Sequence, residues 1–89
     1  MIRKLLVVSG NIQEGGIRYF AQINAAQLKL TGFTKRGAAG TIEIEVQGNE
    51  SNIEKFVDKL KVGNGFFTVE DITVRDIEIV ANEKMFSIK

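Results

Sequence analysis

The hydrophobic residues of this 89-residue chain change their spacing several times, and each change marks a new predicted element. A continuous apolar run within residues 4–9 predicts a central strand. Residues 17–30 carry apolar side chains at helical spacing, and we expect Gly32 to end that helix. A short second strand is predicted at residues 33–36, followed by a hairpin turn at residues 37–40.

The next two elements have clear patterns. Residues 41–47 alternate strictly between apolar and polar side chains, so we expect a sheet with one open face. The polar side chains expected to face water are Glu43, Glu45 and Gln47. Ser51 and Glu54 have the spacing of a capping box at the start of a second helix, and Gly63 is expected to stop it.

The last third of the chain is rich in β-forming residues. Within residues 68–80 the apolar side chains switch from even-numbered to odd-numbered positions, and a bulge near Asp76 would keep them on one face of a strand. Residues 85–88 predict a last short strand. The order β-α-β-β-α-β-β predicts an α+β fold, a ferredoxin-like α/β sandwich with two helices on one face of a mainly antiparallel four- to five-stranded sheet. No linker or repeat divides the chain, so we expect a single domain over residues 1–89.

The amino-acid composition excludes several types of catalytic site and partner. The chain has neither cysteine nor histidine, which excludes thiolate and Ser–His chemistry and favours a cytoplasmic location. The formal net charge of +1 supplies no general field for nucleic acid or an anionic membrane. The apolar run near the N-terminus is too short for a signal peptide or a membrane span. We therefore expect a monomer without a cofactor, a metal, a nucleic-acid partner or a membrane partner.

A glycine-bearing loop connects the first strand to the first helix. Residues 10–18 read GNIQEGGIR. Glycines allow successive backbone N–H groups to converge on one point, and a helix start leaves several of these groups unpaired. Arg18 opposes the helix dipole there by roughly 0.3–1 kcal/mol, which suggests a nearby anion. The loop is therefore interpreted as a local anion site, with an ordinary turn and a solvated arginine as the alternative.

Two segments resemble the signatures of the acylphosphatase family. Residues 10–20 resemble G-x-V-Q-G-V-G-F-R-Y-F, and residues 32–36 with Gly40 resemble G-W-V-x-N followed by a turn and glycine. The resemblance covers essentially the whole chain and implies metal-free hydrolysis of carboxyl–phosphate anhydrides. In that family an arginine and loop amides hold the phosphoryl oxygens, and an asparagine orients the attacking water. The catalytic positions correspond to Arg18 and Arg36, and the implied phosphate-binding residues are Glu14, Gly15, Gly16, Ile17, Arg18 and Tyr19.

Two departures from the signatures affect the expected activity. Arg36 occupies the asparagine position, and a guanidinium cannot accept a hydrogen bond from water, so hydrolysis is expected to be weak or lost. Asn11 and Asn24 are possible substitutes, although neither is at the matching position. Glu14 replaces a glycine, which is unfavourable if that position needs a positive φ. Its carboxylate would either pair with Arg18 and block the anion site, face solvent, or hold the attacking water as a hydrogen-bond acceptor in an active enzyme.

Two functional hypotheses remain. The first is an acylphosphatase-like protein that binds phosphate or an acyl phosphate and hydrolyses it poorly. The second is a non-catalytic binding or interaction module on the same fold. Glu43 and Glu45 fit a solvated strand face and disfavour RNA binding, which needs aromatic residues beside a basic surface. Phe66 and Phe67 are expected to be core residues, with an exposed patch for a partner as the alternative.

Overall fold

The strands form one mixed five-stranded sheet, and the two helices pack on one of its faces. A computed structural model describes all 89 residues, and the predicted ferredoxin-like α+β fold is confirmed. The sheet order is β4-β1-β3-β2-β5, antiparallel throughout except for the parallel pair β2 and β5. The elements are β1 (Ile2–Asn11), α1 (Ile17–Gln27), β2 (Thr31–Arg36), a 3-10 turn (Ala38–Gly40), β3 (Ile42–Gly48), α2 (Glu50–Val62), β4 (Thr68–Ile77) and β5 (Phe86–Ile88).

The core lies between the sheet and the helices. Alternate residues of β1 and β3 point toward it, with Leu6 opposite Ile44 and Val8 opposite Ile42 in the antiparallel register. Helix α2 contributes three buried side chains at helical spacing, which are Ile53, Phe56 and Leu60. Helix α1 contributes Ala21 and Ala25, both fully buried, together with Ile17. The amphipathic patterns therefore meet in one cluster of 15 buried apolar residues.

The helix boundaries differ from the sequence prediction. Helix α1 ends at Gln27, because Lys29 adopts a left-handed conformation (φ 58°) and the N–H of Leu30 bonds back to the Ala25 carbonyl at 2.8 Å. This is a Schellman-type ending, and Gly32 instead lies within β2. The predicted cap of α2 is also wrong. Asn49 is the cap, and its side-chain oxygen accepts from the N–H of Ser51 at 2.8 Å.

Strand β4 is shorter than predicted. It ends at Ile77 rather than continuing to residue 80, and the expected bulge near Asp76 is absent. The irregularity lies at the other end, where Ser9 pairs with Asp71 but Gly10 pairs with Val69. One residue of β4 is therefore extra at that point, and it lies close to the loop that follows β1.

Residues 78–85 leave the sheet edge and cover part of the face opposite the helices. Gln47 was expected to face water, but it is only 4% exposed beneath this segment. Its Oε1 accepts from the N–H of Val80 at 2.8 Å, and its Nε2 donates to the Val80 carbonyl at 3.0 Å. The Gln47 side chain thus bonds both the N–H and the carbonyl of Val80, which have no strand partner. These bonds explain why a polar residue on the predicted water-facing side of β3 is buried.

A buried arginine connects the same segment to the sheet. The side chain of Arg3 is 1% exposed, and it donates to both carboxylate oxygens of Glu83, at 2.8 and 3.2 Å, and to Glu45 at 3.0 Å. Burial by itself would lower the pKa of Arg3, but the two carboxylates outweigh it and raise that pKa. Burial would likewise raise the pKa of Glu83, but the hydrogen bond and charge of Arg3 hold it below its usual value.

The substitution Glu83→Gln is expected to lower the free energy of unfolding at pH 7 by about 1–2 kcal/mol, because it removes one charge from a bidentate pair. The folded-state pKa of Glu83 lies below its unfolded value of about 4.3. Its carboxylate therefore stabilises the fold above that pH, and the contribution is lost as the pH falls through the folded-state pKa. Denaturant unfolding of both proteins from pH 7 to pH 3 measures this difference.

The matched control is Glu78→Gln, which removes an exposed carboxylate of the same segment that forms no ion pair. We expect it to change the free energy of unfolding by less than about 0.5 kcal/mol at every pH. Equal losses in the two variants would show that the Arg3 pair does not stabilise this segment.

Candidate anion-binding site

The loop between β1 and α1 leaves the start of the helix uncapped. Gly16 is the N-cap residue, with φ 72° and ψ 32°, and it has no side chain to accept from the first amides. The N–H groups of residues 15–19 donate to no acceptor in the protein, and the first helical bond runs from the N–H of Phe20 to the Gly16 carbonyl at 2.9 Å. The positive end of α1 therefore presents several hydrogen-bond donors together.

Residues 64–66, between α2 and β4, hydrogen-bond to this loop. The carbonyl of Gly15 accepts from Nδ2 of Asn64 at 3.0 Å, while Oδ1 of Asn64 accepts from the N–H of Phe66 at 2.8 Å. Gly15 has a φ of 94°, and a Cβ at this position would collide with the Phe66 carbonyl. The sequence analysis did not identify Asn64 as part of the site. Its position between two glycines is the only local signal for this role.

The pairing of the central strands brings the loop close to the end of β2. Because β1 and β2 are both antiparallel to β3, they run in the same direction, and their last residues lie at the same edge of the sheet. Arg36 is the last residue of β2 and pairs with Ile42 at the start of β3. This edge contains a pocket of about 130 Å³, lined by Ile12, Gln13, Gly16, Ile17, Arg18, Tyr19, Arg36 and Ile42.

Most of the residues implied by the family signatures line this pocket, but two do not. Gly16, Ile17, Arg18, Tyr19 and Arg36 are among the lining residues, whereas Glu14 and Gly15 are not. Glu14 is exposed and forms no ion pair with Arg18. Glu14 does not have a positive φ, whereas Gly15 and Gly16 do. The conformation of Glu14 therefore does not require glycine, and of the alternatives for its carboxylate the structure has the solvent-facing one, without an ion pair to Arg18.

The asparagines considered as substitutes also lie outside the pocket. Asn24 is buried in α1, and its Nδ2 donates to the Phe20 carbonyl at 2.8 Å. Asn11 is exposed at the end of β1 and does not line the pocket. The side-chain amide that does line it belongs to Gln13, which the sequence analysis missed. Its Nε2 donates to the Gly40 carbonyl, so Gln13 bridges the loop and the turn between β2 and β3.

The charged side chains that line the pocket are both positive. Two guanidinium groups line it, no carboxylate does, and neither arginine forms an ion pair within the protein. The first turn of α1 has no acidic residue. The chain has no cluster of three or more residues suited to hold a metal ion, and no helix is long and apolar enough to span a bilayer. The arrangement is chemically suited to a small anion.

Of the two adjacent phenylalanines, Phe66 and Phe67, one is exposed and the other is buried. Phe67 is buried and packs edge-on against Phe20, with ring centroids 5.2 Å apart. Phe66 was expected to be a core residue, but its side chain is 81% exposed. Phe66 lies in a bend and Phe67 directly precedes β4, and only Phe67 reaches the core.

The fold and the pocket together define a two-helix α/β sandwich that presents a helix N-terminus and two arginines at one sheet edge. The acylphosphatase family model matches residues 4–88. An acylphosphatase of Clostridium beijerinckii is 47% identical over the whole chain and 99% of the relative, and one of Clostridium perfringens is 45% identical over 98% of each. The crystal structure of acylphosphatase from Bacillus subtilis superposes with a TM-score of 0.92 at 35% identity, covering 100% of this chain and 99% of that one. The chain therefore belongs to the acylphosphatase family.

The two loop glycines are expected to differ in their tolerance of a methyl group. Gly16→Ala meets no atom within 4 Å, so only its positive φ opposes the change, at about 1 kcal/mol. Gly15→Ala meets the Phe66 backbone as well and is expected to lower the free energy of unfolding by about 3 kcal/mol. Denaturant unfolding measures both losses.

Gly65→Ala is the control for conformational strain alone, because Gly65 has a φ of 88° and no atom near an added methyl group. Its loss should match that of Gly16→Ala. A loss for Gly15→Ala no larger than these two would mean that residues 64–66 do not restrain the loop.

Proposed function

We propose that the pocket binds the phosphoryl group of an acyl phosphate, and that this chain hydrolyses the carboxyl–phosphate anhydride slowly or not at all. The reaction of the family converts an acyl phosphate and water into a carboxylate and phosphate. Binding and hydrolysis are separate requirements in such a site, because a phosphoryl group can be held without a correctly oriented water. The pocket supports the first requirement better than the second.

Arg18 and the loop amides support phosphoryl binding. Arg18 lines the pocket from the first turn of α1, next to the N–H groups of residues 15–19, which have no acceptor in the protein. A guanidinium offers two parallel donors to the oxygens of one phosphoryl group, and backbone N–H groups add donors that need no rearrangement. Donors fixed before the ligand arrives also stabilise the charge that develops on these oxygens during phosphoryl transfer.

The presence of Arg36 at the family asparagine position is the observation on which the loss of hydrolysis depends. Arg36 lines the pocket, so its side chain is close enough to affect the nucleophile. An asparagine amide accepts a hydrogen bond from water with its oxygen and leaves a lone pair of the water for attack at phosphorus. A guanidinium only donates, so a water bound to it has that lone pair engaged. Arg36 therefore strengthens anion binding and weakens activation of the nucleophile.

Gln13 is the only side chain in the pocket with a similar amide group. The Gly40 carbonyl accepts from its Nε2, which leaves Oε1 without a partner in the protein. This oxygen is able to accept a hydrogen bond from a water molecule, but Gln13 belongs to the loop side of the pocket rather than to β2. Slow residual hydrolysis is the most that we expect from this arrangement.

Arg36→Asn is expected to raise the rate of acyl phosphate hydrolysis at least about tenfold, because it restores an amide acceptor beside the phosphoryl site. Adding Glu14→Gly should contribute little further, since Glu14 needs no glycine conformation and pairs with no arginine. The assay follows loss of a synthetic acyl phosphate with time at neutral pH.

Lys35→Asn is the matched control for this assay. Lys35 is exposed and directly precedes Arg36, so the two side chains lie on different faces of the sheet. Lys35 pairs with Glu43 of β3 and does not line the pocket. Its substitution should leave the rate unchanged. The proposal of impaired hydrolysis is wrong if the unmodified protein already turns over as fast as the Arg36→Asn variant.

Arg18→Ala is expected to weaken phosphate binding at least about tenfold, because a charge-assisted pair contributes roughly 1.5–3 kcal/mol. Titration with inorganic phosphate, followed by the amide NMR signals of residues 15–19, measures the affinity. Arg75→Ala removes an exposed arginine of β4 and serves as the control.

The same titration distinguishes the alternative function. A non-catalytic interaction module that uses the fold only as a scaffold predicts no saturable shift of these amides in the unmodified protein. A saturable shift that is lost in Arg18→Ala and kept in Arg75→Ala would support the anion site.

A further inference from the structure

The geometry of phosphoryl transfer determines on which side of the pocket the acyl group leaves. In an in-line displacement, the attacking water and the leaving oxygen lie on opposite sides of the phosphorus atom. The position that orients the water in the family corresponds to Arg36, which lines the pocket from the end of β2. A ligand whose phosphoryl group is held by Arg18 and the loop amides therefore directs its acyl group away from β2.

The strand order shows what lies on the side away from β2. Across the sheet edge that carries the pocket, the strands follow one another as β2, β3, β1 and β4. The end of β1 leads into the loop and pairs with the start of β4, where Asn11 is opposite Thr68. Residues 64–66 lie just before β4 and bond to the Gly15 carbonyl. This segment is therefore beside the loop, on the side away from β2.

The contacts of α1 agree with this arrangement. On one flank of the helix, Nε2 of Gln22 donates to the carbonyl of Phe86 in β5, the outer neighbour of β2, at 3.4 Å. On the other flank, Phe20 packs edge-on against Phe67, with ring centroids 5.2 Å apart. Phe66 directly precedes Phe67, so it lies on the flank of α1 opposite to β2 and β5.

Phe66 presents an aromatic side chain to solvent from a backbone that is held against the loop. The residue is 81% exposed. Its N–H donates to Oδ1 of Asn64 at 2.8 Å, while Nδ2 of Asn64 donates to the Gly15 carbonyl at 3.0 Å. Gly63 and Gly65, on either side of Asn64, both have a positive φ. The turn thus fixes the position of an exposed apolar ring beside the loop whose amides face the pocket.

We infer that Phe66 contacts the acyl group of the bound ligand, so that the site prefers acyl phosphates with an aromatic or long apolar acyl part. This inference rests on the proposed function. Phe66 does not line the pocket that receives the phosphoryl group, and the acyl carbons begin two bonds from phosphorus, so they extend beyond that pocket. An apolar acyl group that reaches Phe66 removes apolar surface of both partners from water, whereas an acetyl group is too small to cover the ring.

The experiment compares two stable analogues, acetonylphosphonate and phenacylphosphonate. In these compounds a methylene group replaces the bridging oxygen of acetyl phosphate and benzoyl phosphate. They carry the same phosphonate group and differ only in a methyl against a phenyl group. Their affinities are measured by NMR titration of the amides of residues 15–19 for the unmodified protein, Phe66→Ala and Phe66→Leu.

Met85→Ala is the matched control, because Met85 is also an exposed apolar residue, with 68% of its surface accessible. Its carbonyl accepts from the N–H of Gly32 near the start of β2, at the opposite end of that strand from Arg36. Removing either apolar side chain leaves the net charge unchanged, but only Phe66 is beside the loop.

We expect phenacylphosphonate to bind the unmodified protein about three- to tenfold more tightly than acetonylphosphonate. Phe66→Ala should reduce this ratio to nearly one without changing the affinity for acetonylphosphonate. Phe66→Leu should keep part of the ratio, and Met85→Ala should leave it unchanged. Nuclear Overhauser effects between the phenyl protons of the ligand and the Phe66 ring should appear in the unmodified protein, which a purely structural role of Phe66 would not produce.

The inference and the proposed function fail in different ways. If both analogues bind equally, if the preference survives Phe66→Ala, or if Phe66→Ala weakens both to the same extent, Phe66 does not contact the acyl group, and the proposed anion site stands. If neither analogue shifts the amides of residues 15–19 at millimolar concentration, the proposed function fails as well.

Discussion

The position of β3 between β1 and β2 is the constraint on which the site depends. Antiparallel pairing of both neighbours with β3 makes their carboxyl ends coincide at one edge of the sheet. The loop that leads into α1 and the last residue of β2 are therefore adjacent, although Arg18 and Arg36 are far apart along the chain. The buried faces of β1 and β3 hold this register, because a shift of one residue would expose the apolar side chains that pack against the helices.

The loop between β1 and α1 combines backbone N–H groups that have no acceptor with side-chain hydrogen bonds that hold its conformation. The start of α1 has a glycine cap and leaves its first amides without acceptors, which weakens the helix end in the absence of a ligand. Asn64 compensates by holding the Gly15 carbonyl and the Phe66 amide, so the loop keeps its conformation while its donors stay available. Preorganised donors of this kind bind an anion without a rearrangement at the moment of binding.

The face of the sheet opposite the helices is partly closed by the segment that follows β4. Gln47 bonds to both polar groups of Val80, and Arg3 joins Glu83 to Glu45, so polar contacts rather than apolar packing position this segment. The segment then leads into β5, which pairs with β2. Strand β2, which carries Arg36, therefore has β5 as its outer neighbour, and the segment that leads into β5 is held by the ion pair of Arg3 with Glu83.

The sequence by itself determined the element types, the fold class, and the family residues at the pocket. Hydrophobic periodicity is a local property, and Arg18 and Arg36 stand within short signatures that are readable without coordinates. Tertiary structure alone decided the features that depend on distant partners. These are the burial of Arg3 and Gln47, the support of the loop by Asn64, the bridge from Gln13 to Gly40, and the absence of an ion pair between Glu14 and Arg18. A polar side chain is equally compatible with water or with a buried partner, and only the folded chain brings that partner within hydrogen-bond distance.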